Sequence, residues 1–122
     1  MTAGTARYRS VTPRIVVDDV DAQVEFLRAV FGATGAVDRG RPAEMRIGDS
    51  LIMVSSTTGG RGRFPAFLYV YVDDADEVYQ GAIRAGATTL EEPLDTPYGD
   101  RRAMVSDPFG NIFQIANQLV ER

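Results

Sequence analysis

One stretch of this chain is written twice. Residues 16–34 read VVDDVDAQVEFLRAVFGAT and residues 71–88 read YVDDADEVYQGAIRAGAT. Each passes from an apolar strand end through a double aspartate and an amphipathic helix to Gly-Ala-Thr. Asp18 and Asp73, the first of each pair, stand 55 positions apart, so two such units nearly exhaust the 122 residues. A single domain built from two copies of one supersecondary unit is the reading this constraint leaves, because each copy has the same apolar faces to bury.

Periodicity and breaker residues order the elements within each copy. In the first, PRIVVD predicts a strand and VDAQVEFLRAVFG a helix whose Val20, Val24, Leu27 and Phe31 recur at helical spacing. GAVDR, AEMRIG and SLIMVSS predict three further strands, parted by Gly, Pro and Asp turns. In the second copy AFLYVYV predicts the strand, ADEVYQGAIRAG the helix, and TTLEE, RRAMVS and NIFQIAN the three strands. Gly86 suits a left-handed helix end. The expected class is α+β: two tandem βαβββ modules, 12–56 and 66–117, in one domain spanning 12–117. Residues 1–11 and 118–122 are expected to be tails. The Gly-rich segment 57–65 reads as a linker, with Arg61, Arg63 and Phe64 as contacts if it instead covers a ligand.

Composition closes several functional classes. The chain contains no histidine, no cysteine and no lysine. It therefore lacks the commonest general base and transition-metal ligand, any disulfide or thiolate site, and any Schiff-base amine. A net charge of −4 disfavours nucleic acid as a partner. No apolar run approaches the roughly 18 residues of a membrane span, and MTAGTARYRS carries no apolar leader segment. A cytoplasmic protein with no membrane partner is the expectation. The paired acids Asp18-Asp19 and Asp73-Asp74 invite a hard cation, but each stands at a strand-to-helix junction, where capping is the expected role. Asp74 and Glu77 have capping-box spacing. Asp107, Gly110 and Asn111 read as turn chemistry.

The doubled plan, the two Asp-Asp helix starts and the closing turn in YGDRRAMVSDPFGNIFQI (98–115) together resemble the vicinal oxygen chelate superfamily of glyoxalases, bleomycin-resistance proteins and extradiol dioxygenases. The resemblance covers residues 12–117. It implies that the strands form a curved eight-stranded cup around a ligand, with the helices outside, and that two chains pair as a homodimer. It also implies four metal-ligand positions, which carry over onto Thr12, Met53 (or Ile52, one residue away in register), Phe67 and Gln114. None of the four is a carboxylate or an imidazole, so no metal and no other cofactor is expected. Metal-dependent glyoxalase or dioxygenase activity is not expected either.

Strand alternation assigns the face those positions share. It carries Thr12, Arg14 and Val16 on the first strand, Leu51, Met53 and Ser55 on the fourth, and Phe67, Tyr69 and Tyr71 on the fifth. Ser106, Met104 and Arg102 share it on the seventh strand, and Ile112, Gln114 and Ala116 on the eighth. The three aromatics fit a binding wall and fit plain core equally well, except that a buried phenol needs a partner. Arg102 needs an anion, either a ligand or Asp95 or Asp100 on the neighbouring loop. The ligand-binding candidates are therefore Thr12, Arg14, Met53, Phe67, Tyr69, Tyr71, Arg102, Met104 and Gln114. Two functions follow. One is a metal-independent protein that sequesters an aromatic or amphipathic metabolite or antibiotic. The other is a metal-free isomerase, cyclase or lyase acting on an enolisable carbonyl, in which Tyr69, Tyr71, Arg102 and Gln114 supply acid and oxyanion contacts. No general base is evident for the second unless Glu44 or Glu92 swings in.

Overall fold

Pro13 starts a short aliphatic strand, β1 (Arg14–Val17), in which Ile15, Val16 and Val17 are all buried. The structure is a computed structural model and describes residues 10–57 and 62–120. Asp19 then adopts an extended conformation, and its side chain accepts a hydrogen bond from Ala22 N at 3.0 Å, which opens helix α1 (Val20–Phe31). That bond satisfies one of the four amides a helix start leaves unpaired. Val24 and Leu27 bury completely, Val20 and Phe31 only in part, and Gly32 ends the helix in the left-handed region at φ 65°. Strands β2 (Thr34–Ala36), β3 (Ala43–Ile47) and β4 (Ser50–Ser56) complete a sheet of order β1-β4-β3-β2. β1 lies parallel to β4, and the other pairs are antiparallel.

The second copy repeats this topology. Strand β5 (Phe67–Tyr71) leads through Asp74, whose side chain accepts from Glu77 N at 3.1 Å, into helix α2 (Ala75–Arg84). Both Asp pairs thus do what their junctions predicted. Gly86, at φ 102°, follows the helix end. Strands β6 (Thr88–Asp95), β7 (Asp100–Ser106) and β8 (Ile112–Gln118) give the order β5-β8-β7-β6, with β5 parallel to β8. The fold is α+β, two βαβββ modules in tandem. The chain divides into two compact units between Phe64 and Pro65, with residues 29–31 grouped with the second. Among the described residues no helix is long and apolar enough to cross a membrane.

Two strands differ from expectation. β2 stops at Ala36 instead of running through VDR, because the chain turns at 38–41, where Arg41 N bonds to Asp38 O and Gly40 sits at φ 92°. β6 runs past TTLEE to Asp95 and carries Pro93, which the sheet tolerates because β6 is an edge strand. Of the expected linker, residues 58–61, including Arg61, lie outside those described. Arg63 approaches Asp18 at 3.8 Å, and Phe64 forms a bridge with Val16.

The turn between β7 and β8 fixes the second sheet. Asp107 is buried, and its carboxylate accepts from Phe109 N, Asn111 N and Asn111 Nδ2, each at 2.9 Å. Asn111 Oδ1 in turn accepts from Ala66 N at 2.9 Å, one residue before β5. Asp107→Ala leaves those donors without their acceptor, and we expect a loss of about 3 kcal/mol in urea unfolding. Gly35 is the position in β2 where a side chain is excluded, since an added Cβ would stand 2.3 Å from Glu44 O at φ 133°. Gly35→Ala is expected to cost about 2 kcal/mol by the same measurement. Gly48→Asn, at φ 57° with open space around it, should be nearly neutral.

Candidate functional site

Register places the site residues of the second module. Tyr69, Gln114, Met104 and Glu91 stand opposite one another across the four strands. Tyr71, Ala116, Arg102 and Leu94 form the next row, and Phe67, Ile112, Ser106 and Thr88 the row on the other side. Opposed residues point to one face. The reverse face belongs to α2: Arg101 bonds to Asp76, Asn117 Oδ1 accepts from Ala75 N, and Tyr79 bonds to Thr89. Six of the nine expected residues (Phe67, Tyr69, Tyr71, Arg102, Met104 and Gln114) are therefore brought onto one sheet face. The aromatics are not core. Phe67 is 65% exposed, Tyr71 53% and Tyr69 36%.

A hydrogen-bonded chain runs along this face. Asp100 is fully buried, and its Oδ2 accepts from Tyr69 Oη at 2.7 Å and from Tyr71 Oη at 2.8 Å. The two rings lie 5.2 Å apart, tilted by 52°. Tyr98 Oη lies 3.3 Å from Tyr69 Oη and accepts from Arg102 Nη1 at 2.9 Å. Arg102 also donates through Nε and Nη2 to Glu91 Oε1 at 3.0 and 2.7 Å. The hydrogen bond to Glu91 is the main cause holding the Arg102 guanidinium's pKa above its usual value. Because Tyr69 gives its proton to Asp100, the Tyr98 hydroxyl donates to Tyr69. Loss of water around the Tyr69 hydroxyl, then its bonds to Tyr98 and Asp100, raise that phenol's pKa well above the ordinary tyrosine value. The turn 96–100 supports the arrangement, with Thr96 Oγ1 accepting from Asp100 N at 2.9 Å.

The partner of Arg102 is thus neither Asp95 nor Asp100. Asp95 pairs with Arg101 at 3.1 Å, and the fork of Arg102 closes on Glu91. The cause is a register shift in β6: Thr89 opposes Val105 and Glu91 opposes Met104, so Leu90 is the extra residue. That bulge turns Glu91 to the site face in place of Leu90 and leaves Glu92 exposed, so Glu92 does not swing in. Sequence reasoning missed Glu91 and Tyr98, and named Asp100 only as a loop partner for Arg102. Asp100 was within reach, since the alternation Ser106, Met104, Arg102 continues to it. No pattern announced Glu91.

In the first module, Arg14 opposes Met53, which opposes Glu44, and Val16 opposes Ser55. Arg14 Nη2 donates to Met53 Sδ at 3.3 Å. Thr12 is half-buried just before β1, and Met53 N bonds to Pro13 O. Glu44 approaches Arg41 at 3.8 Å. Arg14 and Ser55 line an open cleft of about 1060 Å³, with residues 18–21 and 37–42 as its other walls.

The four positions that the resemblance assigns to a metal divide between the modules, Thr12 and Met53 in the first, Phe67 and Gln114 in the second. A hydroxyl, a thioether, a phenyl ring and an amide offer no charged or strongly basic donor, so these residues do not fit a transition metal. Among the described residues no three His, Cys, Asp or Glu side chains gather as a metal site.

Paired βαβββ modules, one of them presenting an aromatic sheet face backed by a buried carboxylate, define a two-module α+β protein with a preformed polar and aromatic surface. Residues 9–115 match the Glyoxalase/Bleomycin resistance protein/Dioxygenase superfamily, and the chain belongs to it. An uncharacterized protein of Mycobacterium bovis, Mb0911c, is 29% identical over 92% of this chain and 85% of its own length. Among solved structures, TioX from Micromonospora sp. ML1 has the same fold, with a TM-score of 0.77 at 24% identity, covering 92% of this chain and all of that one. A glyoxalase/bleomycin resistance protein/dioxygenase family enzyme from Burkholderia phytofirmans PsJN gives 0.75 at 25% identity, over 88% of this chain and 97% of that one.

The raised Tyr69 pKa has a defined sign. The folded state favours the neutral phenol, so its contribution to stability is whole below the ordinary tyrosine value of about 10 and is lost as pH rises beyond it. Ring-carbon NMR should find Tyr69 still protonated where an ordinary tyrosine has ionised. Asp100→Asn should move its titration downward.

Proposed function

We propose that this protein is a metal-independent small-molecule binder of the glyoxalase/bleomycin-resistance type, which sequesters an aromatic or amphipathic metabolite or antibiotic. The observation that carries the proposal is the exposed Phe67, Tyr69 and Tyr71 surface, with Tyr98 47% exposed beside it. Large aromatics left open to solvent in one patch mark a surface that gains by being covered. Here Asp100 holds two of the rings in place, so little side-chain freedom is lost when a guest stacks on them.

The parts divide by chemistry. Phe67, Tyr69 and Tyr71 supply stacking area. Gln114 makes no side-chain hydrogen bond among the described residues, so its amide offers a donor and an acceptor to a guest lying between Tyr69 and Met104. Met104 adapts to the guest's outline. Arg102 is taken up by Glu91 and Tyr98, so its role is to hold the wall. Thr12, Arg14 and Met53 are what the first module offers. The proposal includes a cytoplasmic location and a homodimer, the latter checked by sedimentation equilibrium.

The metal-free isomerase, cyclase or lyase reading gains two carboxylates that the sequence reading did not count among the site residues, Asp100 and Glu91. Against it, Asp100 already receives both phenol protons and Glu91 already faces a guanidinium, so neither is poised to take a proton from a substrate.

Native mass spectrometry with a panel of aromatic antibiotics and small keto acids separates the two. Sequestration predicts a bound compound released unchanged, with Tyr71→Ala weakening it at least tenfold, about 1.4 kcal/mol. Release of an isomer or of a compound of altered mass would establish turnover instead.

A further inference from the structure

The first module carries an oddity that the aromatic face does not explain. Ser55 Oγ is buried and has no hydrogen-bond partner among the described residues. Leaving a buried hydroxyl unsatisfied is unfavourable, and such an atom calls for a ligand, ion or water. Ser55 lies one row from Arg14 on the same face of the sheet, since Arg14 opposes Met53 and Val16 opposes Ser55. Both residues line the open cleft of about 1060 Å³.

The charges around that cleft are mostly committed. Asp18 bonds to Thr57 and lies near Arg63, Asp19 caps α1, and Arg41 lies between Asp38 and Glu44. Arg14 is different. Its guanidinium donates only to a thioether sulfur, a weak acceptor, and it has no carboxylate partner among the described residues. Arg39, on the opposite wall, has none there either. The uncommitted groups lining the cleft are therefore two guanidinium groups, one orphaned hydroxyl and the Asp21 carboxylate, and the three donor groups have no anionic acceptor among the described residues.

We infer that the first-module cleft takes a small organic carboxylate, gripped by Arg14 and Ser55, with Arg39 contributing from the 37–42 loop. A carboxylate suits this donor set because its two oxygens can take an N–H from the planar guanidinium and the O–H of Ser55 at once. The inference rests on residues of the first module alone.

The test needs a probe without an aromatic ring, so that the tyrosine face is not engaged. Cyclohexanecarboxylate and its neutral amide would be titrated into the full chain, following the Arg14 Nε–H resonance and the thermal midpoint. The carboxylate should shift the resonance and raise the midpoint, and the amide should do neither. Arg14→Gln should weaken the carboxylate at least tenfold. Ser55→Ala carries the sharper signature: the empty protein should become no less stable, because the orphaned hydroxyl is gone, while carboxylate affinity falls about five- to tenfold.

Equal binding of acid and amide would overturn the inference. So would a Ser55→Ala protein that is less stable when empty yet binds the carboxylate unchanged, since the hydroxyl would then serve the fold. Absence of any response to the carboxylate in the wild-type chain would likewise reject the site without touching the aromatic-face proposal.

Discussion

The register of β5 against β8 is the constraint on which this molecule's chemistry rests. Side chains alternate across a strand, so a slip of one residue would turn Phe67, Tyr69 and Tyr71 toward the helix layer and bring Leu68 and Val70 to the site. The sheet itself supplies little against such a slip, because β5 is an edge strand with half-exposed aliphatics. The turn supplies it. Asp107 gathers the amides of 109 and 111 and fixes Asn111, and Asn111 reaches across to the amide of Ala66, so β5 enters the sheet in one register only. A motif that reads as turn chemistry is in effect the alignment pin of the site.

How far the sequence revealed this varies with the kind of information. The doubled plan and the aspartate caps were legible, because repeats and caps are local and periodic. The shared strand face of six candidate residues was legible from alternation, which is likewise local and periodic. Glu91 was not, because a bulge breaks alternation at Leu90 and leaves no mark in residue type. Nor was the true partner of Arg102. Choosing between Asp95, Asp100 and Glu91 depends on two register shifts in β6, between Thr89 and Glu91 and between Glu91 and Leu94. Asp100 falls between these cases, since its strand parity was plain but the start of β7 was placed one residue late.

Superfamily membership and site chemistry are separate facts here. The fold is that of the superfamily, yet the positions that the resemblance assigns to a metal carry Thr12, Met53, Phe67 and Gln114. Such a change is economical in physical terms: two βαβββ modules bury their cores on the helix side, so the opposite faces can exchange carboxylate and imidazole for amide and aromatic groups while the packing stays as it was. Gln114 shows the result. An amide in the middle of the face neither attracts a cation strongly nor repels an organic guest, and its two hydrogen-bonding ends remain open between Tyr69 and Met104.

The tyrosine network also gives the protein an optical property. The chain has no tryptophan, so its intrinsic ultraviolet emission comes from tyrosine alone. Of five tyrosines, Tyr69, Tyr71 and Tyr98 stand in one hydrogen-bonded group on the exposed face, while Tyr79 is buried against Thr89. Three of the four tyrosines among the described residues therefore stand at the surface a guest would cover, and their near-ultraviolet absorption gives the unlabelled molecule its own reporter of occupancy.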